Sequence, residues 1–548
     1  MSLTGRSVTL SVICRDMSRL AWGDNKYNKY NWLMEQCLMT RDVDAPQRPS
    51  LLMASLPILA TLAVLALQLF VFGEFTPHVP LICGVAMTAL VGWKLGYGWS
   101  AMEEGMMRIV RVGLPSIAIL ILVGMTVGVW IASGSVPMII YYGLKLVSPE
   151  YFLAAAMLLC SVVSVTLGTS WGTVGTVGLA LMGIGAGFDI PPWWTAGAVV
   201  SGAFFGDKVS PLSDTTNLAP AVTGVNLFAH IRNMMPTTIP SMLIALVIYL
   251  IAGNLLAAGQ SLDLERITAI TAGLSGAFEF NLWVLVPPLL VMALAIARMP
   301  ALPALFVGVL AGAVVAYGVQ GEAIKALFGY MQSGYTLNTG VSEIDSLLNR
   351  GGLMSMAWVI LLVMIALAFG GMLEVIGCLE VLCAAVLVKV RGIFGLQVAA
   401  SSTAALTNVI AGDPYLSIAL PGRMYAPVFR GEGYSTLNLS RSLEEGGTLI
   451  SPLVPWNASG AVVISSLGLM AGGAGMEGLL YIPLAFACWL SPLLGLLYTL
   501  LGRFIIRADD AERAEWQARG HAVTTLAQLR QQQAEGLAGL QAATPEVR

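Results

Sequence analysis

Apolar runs of bilayer length recur along the chain, at 51–73, 77–98, 113–133, 151–167, 233–253, 281–297, 300–318, 355–373, 394–411 and 479–502. A helix needs about 20 residues to cross the hydrocarbon core, so each run predicts a membrane-spanning helix. Four stretches interrupt this pattern with prolines, glycines, hydroxyls and charges: 168–176, 206–217, 407–414 and 446–460. Irregular backbone survives at membrane depth only where it lines a cavity or is buried in protein. The pattern therefore predicts an all-α polytopic membrane protein of about 10–12 spans, with broken helices and re-entrant hairpins.

Composition supports a life in the bilayer. Of 548 residues, 57% are hydrophobic and 11% charged, against about 25% charged in soluble domains. Mean hydropathy is +0.79. The net charge of −3 excludes nothing in a membrane protein. The seven cysteines (14, 37, 83, 160, 378, 383, 488) form no CxxC pair and mostly fall in apolar runs, so they read as buried thiols and not as ligands of a transition metal.

Residues 1–50 lack the apolar core and small-residue cleavage point of a signal peptide. They hold Arg6, Arg15, Arg19, Lys26, Lys29, Arg41 and Arg48, which places the N-terminus in the cytoplasm by the positive-inside rule. This segment reads as a poorly ordered extension, with Met39 as an alternative start. Residues 503–548 read as a cytoplasmic helix and loose tail, rich in arginine.

The densest chemistry lies in FGDKVSPLSDTTNLAP, 205–220. One charge at the centre of a membrane helix costs about 2.5–3.5 kcal/mol on insertion scales. Asp207, Lys208 and Asp214 would together cost about 7–10 kcal/mol unpaired, a load that points to a binding site. Pro211 and Pro220 each remove a donor from the helix ladder and free nearby carbonyls. A hard cation such as Na⁺ takes oxygen ligands, which Asp207, Ser213, Asp214, Thr215, Thr216 and Asn217 offer. A desolvated carboxylate can also exchange a proton near neutral pH. The competing reading is a structural pair of Asp207 with Lys208; adjacent residues of a helix do not face each other, so Lys208 is expected to pair elsewhere.

The chain also echoes itself. Gly113-Leu114-Pro115-Ser116 resembles Gly352-Leu353-Met354-Ser355 at an offset of 239 (352 − 113), and Ser210-Pro211-Leu212 repeats as Ser451-Pro452-Leu453 at 241 (451 − 210). On these offsets Thr169 pairs with Asn408, Asp214 with Pro455 and Thr216 with Asn457. The predicted units are repeat 1 at 51–253, a linker at 254–280 and repeat 2 at 281–502. The loop at 183–192 carries Asp189 and no Lys or Arg, whereas 422–441 carries Arg423, Arg430 and Arg441. The 94–112 connector is basic where 319–351 is acidic. Opposite charge bias predicts repeats of inverted topology, with substrate and ions at the midplane. The second half then offers Asn408, Asp413, Glu445 and Asn457 as site residues; Glu444 reads as facing a vestibule. Glu374 and Glu380 read as interfacial, and Glu103, Glu104, Arg108 and Arg111 as a solvated connector.

His78, His230 and His521 are expected in loops or the tail. No HExxH, Walker-type loop or Gly-x-Ser-x-Gly elbow is present, and no nucleophile–base pair suggests an enzyme. An ion channel is disfavoured because conduction needs a continuous pore lined by repeated rings.

FFGDKVSPLSDTTNLAPAVTGVNLFAHI (204–231), ALTNVIAGDPYLSIALPGRMYAPVFR (405–430) and LSRSLEEGGTLISPLVPWNASGA (439–461) resemble the signature blocks of the NhaC-type Na⁺/H⁺ antiporters. The resemblance spans approximately 46–505. It implies a secondary antiporter of the broad ion-transporter superfamily, multi-pass in a bacterial cytoplasmic membrane with both termini inside. It implies Na⁺ and H⁺ as transported ions, no cofactor, no nucleic-acid partner, and an assembly that includes a homodimer among its options. The family motif falls on Asp207, Lys208, Ser210, Asp214, Thr215, Thr216, Asn217, Asp413, Arg423, Glu444, Glu445 and Asn457. Two departures stand out: the long N-terminal extension, and Gly447 where a small hydroxyl residue is expected. Some members exchange organic acids of the malate/lactate kind; in that alternative Arg423 would contact the substrate anion.

Overall fold

The apolar runs fold as helices. A computed structural model describes residues 46–72, 76–258, 264–297, 299–338, 345, 348–469 and 475–531. In chain order the first helices are α1 (Leu51–Phe70), α2 (His78–Lys94), α3 (Trp99–Ala132), α4 (Ser135–Leu146) and α5 (Pro149–Leu167). Helix α6 starts as Ser170–Thr173, passes through a π-turn at Val174–Gly178 and ends as Leu179–Gly187. Then come α7 (Pro192–Val209), α8 (Asp214–Thr223), α9 (Leu227–Ala258), α10 (Leu264–Ala277), α11 (Val286–Ile296), α12 (Ala301–Gly318) and α13 (Ile324–Ser333). The remainder comprises α14 (Ala357–Val375), α15 (Cys378–Leu387), α16 (Gly392–Ala411), α17 (Pro414–Gly431), α18 (Thr436–Leu443, running into a π-turn at Glu444–Thr448), α19 (Ala458–Leu467), α20 (Phe486–Leu500) and α21 (Asp510–Ala518). The described residues from Arg48 onward belong to one compact unit. The expected extension at 1–50 and the end of the tail lie largely outside the described residues.

Among the described residues eight helices are long and apolar enough to cross a membrane, and ten spans result if each of two bent pairs counts as one. Ten is the lower end of the expected range. The 94–112 stretch is not a separate connector. It is mostly the start of α3, whose 34 residues extend about 51 Å at 1.5 Å per residue. That exceeds the hydrocarbon thickness of about 30 Å, and the exposed Glu103, Glu104, Arg108 and Arg111 occupy the surplus turns.

Two helical hairpins turn on the same device. Helix α5 stops at Gly168 (φ 68°), and an extended Thr169 accepts from the Gly172 amide to start α6. Helix α16 stops at Gly412 (φ 64°), and an extended Asp413 accepts from the Leu416 amide to start α17. Any other residue would strain this left-handed backbone. Helix α6 returns antiparallel to α5, so that Phe188 stacks on Phe152 at 5.6 Å. Helix α17 returns along α16, with Tyr425 Oη 2.8 Å from Thr403 Oγ1.

A broken span accompanies each hairpin. Helix α7 runs beside α5 in the same direction, tied by Ser164 Oγ to Ala203 O (2.6 Å), and restarts after 210–213 as α8 on the cap Ser213. Helix α18 runs beside α16, tied by Ser401 Oγ to Ser442 O (3.3 Å), and restarts as α19 on the cap Asn457. The stops repeat at one interval: 412 − 168, 457 − 213 and 468 − 224 all equal 244.

That interval corrects the sequence alignment at 239–241. Thr169 corresponds to Asp413 and not Asn408; Asp214 corresponds to Ala458 and not Pro455; Thr216 corresponds to Gly460 and not Asn457. Ser-Pro-Leu misled because the same tripeptide plays two parts. At 210–212 it is the break itself, whereas 451–453 forms a 3₁₀ turn ahead of further irregular backbone. Pro220 breaks nothing, lying inside α8.

Between the halves, each restarted helix runs in the same direction as one arm of the other half's hairpin. Helix α8 lies along α17, with Val222 against Gly422 and Arg430 Nη2 donating to Thr223 O at 3.2 Å. Helix α19 lies along α6: Trp171 Nε1 donates to Ser459 Oγ at 3.1 Å, and Leu467 sits beside Gly178. The hairpin tips therefore meet mid-bundle while their bases, 188–191 and 432–435, point to opposite ends.

Candidate functional site

A cavity of about 30 Å³ opens where the tips and breaks converge. Asp207, Ser213, Asp214 and Thr215 line it from the first broken span, and Thr169 and Ser170 from the first hairpin tip. Tyr415, Thr448, Ser451 and Ser459 close it from the second half, and Ser116 from α3. Asp207 is buried at the end of α7 and accepts a 2.6 Å hydrogen bond from Ser170 Oγ. Asp214 opens α8, lines the cavity and is also exposed, so it marks the mouth. Tyr415 Oη accepts from Ser116 Oγ at 3.0 Å and lies within hydrogen-bonding reach of Asp214.

Backbone groups released by the breaks are consumed inside the protein. Thr216 Oγ1 donates to the carbonyls of Asp207 (2.9 Å) and Lys208 (3.1 Å). Asn217 Nδ2 donates to Pro211 O (2.9 Å) and Ser213 O (2.7 Å). Ser210 Oγ donates to Val165 O at 2.7 Å. Thr216 and Asn217, expected as cation ligands, thus serve the helix ends and do not line the cavity. Side-chain oxygens are what the cavity offers a ligand.

The second-half candidates form a different object. Asn408 Nδ2 donates to Gly446 O (2.9 Å) and Gly447 O (2.6 Å). Its Oδ1 accepts from Asn457 Nδ2 (2.9 Å) and Ser417 Oγ (3.1 Å). Asn457 caps α19 and Asp413 caps α17, and neither lines the cavity. Gly447 packs its backbone on Ile418, where a β-carbon would come within 2.6 Å of that side chain. The absence of a hydroxyl there follows from that contact.

Lys208 does pair elsewhere. Its Nζ donates to Ser491 Oγ at 2.9 Å and lies 3.8 Å from Glu445 Oε1, which also accepts from Thr237 Oγ1 at 2.7 Å. Gly495 provides the room: a β-carbon there would come within 2.2 Å of Glu445 Oε2. Glu445 is therefore the partner of a buried lysine and lies outside the cavity lining. Glu444, expected at a vestibule, is fully buried, and its carboxylate accepts no hydrogen bond among the described residues.

Arg423 is exposed and pairs with Glu374 at 3.2 Å, a carboxylate it shares with Arg108 at 3.6 Å. It is not placed to meet an anion in the cavity. His230 is not in a loop: it is buried within α9, its Nδ1 2.8 Å from Ser440 Oγ. Ser170, Tyr415, Ser451 and Ser459 were missed as cavity residues. The available signal was a hydroxyl or tyrosine just after each Gly-Thr or Asp-Pro helix restart.

The profile of the Na⁺/H⁺ antiporter family matches residues 202–503. The Na⁺/H⁺ antiporter NhaC of Alkalihalophilus pseudofirmus is 41% identical over 443 residues, 80% of this chain and 93% of that protein. The arginine/ornithine antiporter ArcD of Halobacterium salinarum is 36% identical, covering 87% of this chain and 97% of its own. The malate-2H⁺/Na⁺-lactate antiporter of Bacillus subtilis is 34% identical, covering 82% and 94%. With a family profile over more than half its length and such relatives over most of it, the chain belongs to the Na⁺/H⁺ antiporter family.

Proposed function

We propose that this protein is a secondary antiporter exchanging Na⁺ for H⁺ across the bacterial cytoplasmic membrane, with Asp207 and Asp214 holding cation and proton in turn. The observation that carries this reading is the cavity: about 30 Å³, lined by two carboxylates and several hydroxyls. Such a lining suits a hard monovalent cation, which takes oxygen ligands.

The coupling follows from charge. Na⁺ binding requires ionised carboxylates, so it releases protons; reprotonation expels Na⁺. Bound Na⁺ and bound protons each offset carboxylate charge, so either loaded form crosses a low-dielectric barrier more readily than the bare carboxylates. Asp207 is positioned by Ser170 from the hairpin tip, so movement of the tip against the broken span changes its coordination.

We further read the repeats as inverted, a view supported by the common direction of α8 with α17 and of α19 with α6. Cysteines introduced as Asp189→Cys and Ala514→Cys in a Cys-depleted background should label from opposite sides of the membrane; labelling from one side overturns the inversion. The arginines at 503, 507, 513, 519 and 530 favour a cytoplasmic C-terminus by the positive-inside rule.

Exchange of a larger solute is the second reading, favoured by the names of the arginine/ornithine and malate/lactate antiporter relatives. ²²Na⁺ flux into proteoliposomes under a pH gradient decides between them. Na⁺ and H⁺ alone are expected to sustain exchange. A requirement for malate, lactate, arginine or ornithine on the opposite face would replace the first reading with the second.

A further inference from the structure

The segment after α20 is not a loose tail over its described length. It folds back as a strap across the base of the second hairpin. Ser435 N donates to Ile506 O (3.1 Å), Ala508 N to Gly433 O (3.1 Å) and Thr524 N to Pro427 O (3.0 Å). Leu526 N donates to Glu432 Oε1 (2.9 Å), and Ser435 Oγ to Glu512 Oε1 (2.8 Å). Arg530 reaches the carbonyls of Val388 and Val390.

Between strap and hairpin base lies a pocket of about 410 Å³, well apart from the ion cavity in its lining. Three guanidinium groups line it, those of Arg430, Arg507 and Arg513, with Glu432 as the carboxylate in the lining. None of the three has a carboxylate within ion-pair distance among the described residues. Arg430 is 93% buried, 7% of its surface being exposed. It is held by Ala522 O and Thr223 O, yet its Nε finds no acceptor among the described residues. Arg507 stacks over Tyr434 at 5.4 Å, which fixes its plane and leaves its edges free. Arg513 lies over Gly433, where no side chain obstructs approach. His521, nearby, is held below its ordinary pKa by burial and then by Arg430 and Arg519, so the positive potential comes from arginine and persists through neutral pH.

We propose that this pocket binds a phosphate-bearing anion, either an anionic phospholipid headgroup or a free phosphate compound, and that the bound anion ties the strap to the second hairpin. Planar guanidiniums match phosphate oxygens in paired hydrogen bonds. The anion would bond Arg513 on the strap helix and Arg430 on the hairpin at once. The pocket lies at the arginine-rich end of the bundle, where acidic headgroups of a cytoplasmic leaflet collect.

The test uses the purified full chain in detergent, titrated separately with dihexanoyl-phosphatidylglycerol and with inorganic phosphate. Binding is followed by calorimetry for the wild type and for Arg507→Gln/Arg513→Gln. Both substituted residues are exposed, so folding should survive; Arg513→Lys, which keeps charge but loses the paired geometry, provides an intermediate. Saturable binding, weakened about tenfold or more in the double variant, is expected. Binding of the lipid alone assigns the headgroup as the ligand, and binding of both probes assigns the phosphate group itself. No saturation by either probe up to about 10 mM, or equal binding by wild type and double variant, overturns the site. Because no transport is measured, failure here leaves the antiport reading untouched.

Discussion

The two breaks share a backbone plan and differ in chemistry. In the first, Ser213 starts α8 and carboxylates at 207 and 214 face a cavity. In the second, Asn457 starts α19, and the amides of Asn408 and Asn457 bond each other and the carbonyls around them. One side keeps unspent oxygens and the other spends them. Equivalent position in a repeat therefore does not imply equivalent chemistry: the first half brings both carboxylates to the cavity, and the second brings the hydroxyls of Tyr415, Thr448, Ser451 and Ser459.

The sharpest way to break this comparison is to neutralise carboxylates on each side. Asp207→Asn and Asp214→Asn should each lower Na⁺/H⁺ exchange by about 100-fold or more at normal membrane abundance, since the amide keeps shape but loses charge and proton. Asp413→Asn should keep exchange within about threefold, because asparagine caps helices as well as aspartate does. If Asp413→Asn is as damaging as Asp207→Asn, the second half binds ions too and the asymmetry fails.

The buried pair that joins the halves should show the next largest effect. Lys208→Met strands Glu445 without its partner and should destabilise the protein by about 3–5 kcal/mol. Lys208→Met with Glu445→Leu should recover much of that loss in thermal unfolding. A double variant no better than the single would show that the loss does not come from leaving Glu445 unpaired.

Proton competition gives a graded test. If Na⁺ and H⁺ share Asp207 and Asp214, the apparent KM for Na⁺ should fall as pH rises and then level off. A KM flat from about pH 6 to about pH 9 would assign the proton to other groups. The smallest effect belongs to the amides: Asn408→Ala leaves buried carbonyls unpaired and should cost about 1–3 kcal/mol in stability, with little change in the pH dependence of KM.

Much of this was legible from residues alone. Charges and prolines within membrane-length apolar sequence located both broken spans, and Asp207 and Asp214 stood out because the bilayer penalises them. What sequence could not show is where freed backbone groups find partners. Thr216 and Asn217 look like ligands until their donors are seen satisfying Asp207 O and Pro211 O. Ser170 and Tyr415 look like packing residues until two hairpin tips, 245 positions apart (415 − 170), bring them to one cavity. The repeat interval was misjudged for a related reason: helix stops are conserved as backbone geometry at Gly168 and Gly412, whereas the eye follows tripeptides such as Ser-Pro-Leu.

The strap has a practical consequence. Its residues touch the end of α8 through His521 and the base of the second hairpin through Glu512 and Leu526. It is thus a handle fastened outside the apolar bundle to helices whose other ends line the cavity. A dye on its exposed face, at Ala514 for instance, would ride with those elements and turn each transport cycle into an optical signal.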